Sequence, residues 1–165
     1  MTQAAYTFSR SPSGGDTTAG AVAKLMVCTG GGPVVCDGDS SVEDAVDGKG
    51  IDPAVVLGQV VSFALDVPWK ADLVEERLVW PEGAGEDREY EGPWVLVLGD
   101  RTRDVLAEIP DGRLPGLAEQ WSRIEELSRY SDVRPEVMLS RLRAFVGLAR
   151  RARTNGESIS ALIAC

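Results

Sequence analysis

The run from Val133 to Cys165, VRPEVMLSRLRAFVGLARRARTNGESISALIAC, decides most of the architecture. Met138, Leu142, Phe145, Ala149 and Ala152 follow one another at alternating steps of four and three, the spacing that lines one face of an α-helix. Leu139 and Val146 widen that face to the breadth of a globular core contact. Arg141, Arg143, Arg150, Arg151 and Arg153 occupy the opposite face. Thr154-Asn155-Gly156 supplies a left-handed stop. Beyond it Ile159, Ala161 and Ile163 alternate with Ser158 and Ser160, the period of a strand with one buried face. A long helix that returns the chain into a sheet is therefore expected at this end.

Working back, Pro115 opens a second helix expected to run through Leu127, with Leu117, Trp121 and Ile124 on one face. Joined through Ser128 to Asp132, the two helices make an αα-hairpin with one acidic and one basic arm. Pro93-Trp94-Val95-Leu96-Val97-Leu98 reads as a strand. The turn at Gly99-Asp100 and the alternation of Val105, Ala107 and Ile109 then predict a hairpin, with a helix from Arg103 to Ile109 as the competing reading. Leu78-Val79-Trp80 belongs to another strand. Asp52-Pro53 is a helix start, Asp52 as N-cap and Pro53 in the first turn, and Pro68 ends that helix. Ala21 to Cys28 and Pro33 to Cys36 flank a triple glycine and predict a hairpin. The first twenty residues are polar and linker-like, with a short strand expected only at Ala5-Tyr6-Thr7-Phe8. The expectation is a flexible segment over 1–20 and one α+β domain over 21–165: a mainly antiparallel sheet, the C-terminal αα-hairpin packed on one face, and a final strand.

Composition limits function. The chain has 165 residues, a formal net charge of −9 and no histidine. Net negative charge argues against nucleic-acid binding by counterion release and against adhesion to an anionic membrane. No run approaches the ~20 apolar residues of a bilayer crossing. Met1 to Gly20 lacks a basic segment followed by an apolar core, so a cytoplasmic location is expected. The acidity is uneven: residues 67–133 carry eight basic and sixteen acidic side chains, whereas 134–165 carry six basic and two acidic.

Without histidine, a Ser-His-Asp triad, a Cys-His pair and an imidazole-ligated metal are all ruled out. Cys28, Cys36 and Cys165 lack zinc-site spacing. In a reducing compartment Cys28 and Cys36 read as small buried hydrophobes, although the glycine turn between them would permit a disulfide. Asp37-Gly38-Asp39-Ser40 begins like a calcium loop, but Val42 stands where the turn needs glycine and Gly48 where a bidentate glutamate is needed. The triple glycine lacks the following helix and lysine of a phosphate loop. No metal or cofactor is expected.

What remains is a surface. Pro81 to Gly92 concentrates Glu82, Glu86, Asp87, Glu89 and Glu91, and Trp69 and Trp80 border this acidic region. Aromatic anchors beside like charges are the composition of a protein-binding face for a basic partner. The leading expectation is a non-enzymatic acidic binding module, of the inhibitor or immunity-protein kind, using Trp69, Trp80, Glu82, Glu86, Asp87, Glu89 and Glu91. The alternative is a small enzyme or ligand-binding domain that gathers carboxylates in a pocket. The helix arginines are expected to pair with acidic neighbours and the helix dipole rather than to form an anion site.

Overall fold

The computed structural model describes residues 3–10, 25–26, 35–36, 45–48, 51–80 and 94–164. In chain order the elements are β1 (Gln3–Arg10), β2 (Leu25–Met26), β3 (Val35–Cys36) and β4 (Ala45–Asp47). A π-helical turn (Pro53–Leu57) then runs into α1 (Gly58–Leu65). After it come β5 (Glu76–Trp80), β6 (Trp94–Leu98), α2 (Asp100–Glu108), α3 (Leu114–Trp121), α4 (Pro135–Asn155) and β7 (Glu157–Ala164). β4, β1, β7, β6 and β5 form a five-stranded sheet in that order, while β2 and β3 pair separately. Every pairing is antiparallel. The fold is α+β.

The C-terminal reading holds closely. Met138, Leu142, Phe145, Ala149 and Ala152 have no exposed surface, and Gly156 closes α4 at φ 67° with its N–H on the carbonyls of Ala152 and Arg153. α4 packs against β7, β1 and β4 on one side and against α2 and α3 on others. Phe145 meets Trp121 of α3 edge-on, ring centroids 6.4 Å apart at 75°. Trp121 is fully buried, and its Nε1–H donates to the Val56 carbonyl at 2.8 Å, which ties α3 to the π-helical turn. Asp52 caps that turn as expected, its Oδ1 accepting from the Val55 N–H at 2.8 Å.

Three expectations need correction. The hairpin after Gly99 is instead helix α2, because β6 already has β5 on one side and β7 on the other and no edge is left for a further strand. Thr102 and Leu106, four residues apart, are the buried face of that helix. The second helix stops at Trp121, short of Leu127: Ile124 is extended (φ −68°, ψ 146°) and Glu125–Leu127 form a separate 3-10 turn. At the N-terminus, Gln3–Arg10 is a strand eight residues long, paired with β7 from Gln3↔Ala164 to Arg10↔Glu157. The strand is therefore longer than the four residues expected at Ala5–Phe8, and 11–20 lie outside the described residues. The expected hairpin near the triple glycine is described only where Leu25 and Met26 pair with Cys36 and Val35.

Candidate functional site

Among the described residues, a groove lies at the C-terminal end of α1. The helix ends in a tight reversal: the Val67 N–H reaches the Ser62 carbonyl at 3.1 Å, and the Asp66 N–H reaches the Phe63 carbonyl at 3.4 Å. This is the paired 6→1 and 5→2 pattern of a Schellman motif, whose left-handed residue is usually glycine. Here it is Asp66 (φ 56°, ψ 45°), the one non-glycine residue with positive φ among the described residues. The buried Ser62 hydroxyl fixes the reversal from beneath, donating to the Val67 carbonyl at 2.6 Å.

After Pro68 the chain doubles back along α1, and Trp69 lies against the helix's first turns. Its Nε1–H donates to the Ala54 carbonyl at 3.1 Å. A Cβ at Gly58 would stand 2.9 Å from that nitrogen, so glycine is what permits the close approach. With its polar edge bound, Trp69 as a residue stays 36% exposed, and Leu65 (36%) and Val67 (41%) are exposed near it in sequence. Val67 and Trp69 line an open groove of about 530 Å³, together with Gln59, Phe63, Asp66, Arg113 and Gln120.

Arg113 comes from the 3-10 turn Asp111–Arg113 and braces the same helix end. Its Nη1 and Nη2 donate to the carbonyls of Ala64 (3.0 Å) and Phe63 (3.2 Å), two of the acceptors an α-helix leaves unsatisfied. Arg150 does the same for α2, donating to Ala107 O (3.2 Å) and Ile109 O (2.7 Å) while pairing with Asp111 at 2.9 Å. Arg153 pairs with Glu108 at 3.4 Å. Two arginines of the basic arm, Arg150 and Arg153, thus meet the end of α2 and the turn after it. Arg103 is nearly buried, bonds Asp104 and Asp100, and donates to Glu157 O at the start of β7. Its bond to Asp104 raises its pKa further. Elsewhere the Glu76 carboxyl is held above the usual carboxylate range, first by partial burial and then by the charge of Asp52.

Of the residues singled out in the sequence, Trp69 is in the groove. Trp80 is described only through its backbone, at a bulge where β5 pairs with Val95. Glu82, Glu86, Asp87, Glu89 and Glu91 fall in 81–93, outside the described residues. Sequence reasoning missed Asp66, Val67 and Leu65. The available signal was a proline two residues past an αL-tolerant aspartate, a pattern that marks a helix stop and, by itself, no function. Among the described residues no group of three or more Cys, Asp or Glu side chains could hold a metal ion, and no helix is long and apolar enough to cross a membrane. What the groove offers is the indole of Trp69, the apolar side chains of Phe63 and Val67, two amides, and one carboxylate and one guanidinium, Asp66 and Arg113. Comparisons with protein-family models, with curated proteins and with solved structures found no match.

Proposed function

We propose that this chain is a non-enzymatic protein-binding module that covers a basic partner, in the manner of an inhibitor or immunity protein, and works in the cytoplasm. The observation that carries the reading is that Val67 and Trp69 are exposed on one groove beside a hydrogen-bonded reversal, in a chain of net charge −9. Rigid aromatic area with its polar edge already satisfied is the kind of anchor that dominates interface energies. The net negative charge of the chain would favour a basic partner over an acidic one. The reading that requires paired acids in a pocket has less support, since Asp66 is the single carboxylate among the described residues that line the groove.

The test begins with a partner captured by photo-crosslinking from Val67 replaced by a photoreactive residue. With that partner purified, Trp69→Ala should speed dissociation about tenfold or more, as loss of an anchor does. Neutralising Glu82, Glu86, Asp87, Glu89 and Glu91 should slow association several-fold at low salt and leave dissociation alone. At 1 M salt, where the Debye length is ~3 Å, the second difference should disappear. A partner whose rates ignore both changes would refute the proposal.

A further inference from the structure

Asp66 is a poor choice for the position it holds. A left-handed backbone suits glycine, and any Cβ there is strained, although aspartate is among the residues that tolerate it best. A negative charge at a helix C-terminus also opposes the helix dipole. The carboxylate itself makes no ion pair among the described residues. Arg113 lines the same groove, but its guanidinium is bonded to the carbonyls of Phe63 and Ala64 and so offsets the helix end itself. The fold would be served better by glycine at this point.

We infer that Asp66 is kept for its charge, and that Asp66 and the Trp69 ring together receive an arginine side chain of the protein partner. Both residues line the groove. The indole's Nε1–H is already engaged with Ala54 O, which leaves the exposed part of the ring for contact. An arginine fits this pair better than a lysine: its planar guanidinium stacks on an aromatic face while its N–H fork bonds a carboxylate. Placing strain at a recognition point, where the rest of the fold can hold it, is a known pattern. The inference rests on the proposed binding function and adds the chemistry of the contact.

The full-length protein is titrated with acetylated tri-arginine amide, with tri-lysine and tri-citrulline peptides as comparators. The indole N–H resonance of Trp69, assigned through Trp69→Phe, is the readout. Tri-arginine should shift that resonance and the Asp66 amide together, bind roughly fivefold or more tightly than tri-lysine, and lose most of its effect in Asp66→Asn. Tri-citrulline, uncharged, should shift neither. Asp66→Gly should abolish the response while melting at or above the wild-type temperature, because it relieves the backbone strain. A tri-arginine response spread over the acidic surface with Trp69 unmoved would overturn the inference. So would an unchanged response in Asp66→Asn, or a lower melting temperature for Asp66→Gly. The captured partner separates the two levels: sensitivity to Trp69→Ala without sensitivity to Asp66→Asn removes the arginine contact and leaves the binding face, whereas insensitivity to both removes both.

Discussion

Phe145→Ala should be among the most damaging single changes in this protein, and the structure says by how much. Phe145 has no exposed surface and sits on the face of α4 that Met138, Leu142 and Ala149 share. Truncating a buried phenylalanine to alanine costs about 3–5 kcal/mol, part from lost burial and part from the cavity left behind. The edge-on contact with Trp121 disappears as well, a term of about 0.5–1.5 kcal/mol. Trp121 cannot move in to fill the space without giving up its bond to Val56 O. The loss should therefore fall in the upper half of the range, about 4 kcal/mol, against a total stability of about 5–15 kcal/mol for a domain. With a urea slope of about 2 kcal/mol/M, the unfolding midpoint should drop by about 2 M. Phe145→Leu, which keeps most of the volume, should cost about 1.5 kcal/mol or less. A urea melt of Phe145→Ala showing a loss below about 1 kcal/mol would refute the claim that α4 carries the core through this face.

Two further outcomes follow from local geometry. Gly58→Ala puts a Cβ 2.9 Å from Trp69 Nε1, so the indole must leave Ala54 O. Stability should change by about 1 kcal/mol or less, because better helix propensity offsets the lost contact. Trp69 should become more accessible to acrylamide, and an unchanged indole environment would sink this reading of the glycine. Glu76 holds its proton more tightly in the folded state than in the unfolded chain, so its favourable contribution is present at low pH and lost as pH rises through its raised pKa. Glu76→Gln should therefore be more stable than wild type at pH 7, with the gap closing as pH falls toward the ordinary carboxylate range. Parallel melts at pH 7 and pH 4 check it, and a gap that widens toward acid would contradict the burial argument.

The parts of the fold legible in the sequence are those whose cause is local. The spacing of Met138, Leu142, Phe145, Ala149 and Ala152 has one comfortable solution, and Gly156 stops it where a positive φ is needed. Asp52 caps the first helical turn by a bond three residues away. The misreadings share the opposite property. Val105, Ala107 and Ile109 alternate as a strand would, and what excludes a strand is that both sides of β6 are taken, one by the preceding β5 and the other by β7 from the far end of the chain. β1 is polar and short of strand-forming residues outside its middle, and its eight residues are held by register with β7, at the other end of the chain. Trp69 was legible as a candidate because an aromatic near acidic sequence is conspicuous. The strain at Asp66 and the approach allowed by Gly58 exist only once the chain has turned back on α1.

The arginines brace that turn as the proposed binding face would require. A helix ending at the surface leaves carbonyls that water usually satisfies, and such ends fray. Here Arg113 occupies the end of α1 with two donors, and Arg150 occupies the end of α2 while reaching Asp111, two residues before Arg113. The two caps are thus linked through one short turn, Asp111–Arg113, and through it to α4, whose inner face is buried from Met138 to Ala152. Pinning the α1 end limits the motion of Asp66, Val67 and Trp69, so less conformational entropy remains to be lost when a partner arrives. A loop carrying the same three side chains without that brace would present the same chemistry and bind more weakly. By composition alone the basic face of α4 resembles an anion site. In the fold Arg150 from that face instead braces the end of α2 and, through Asp111, the turn that carries Arg113.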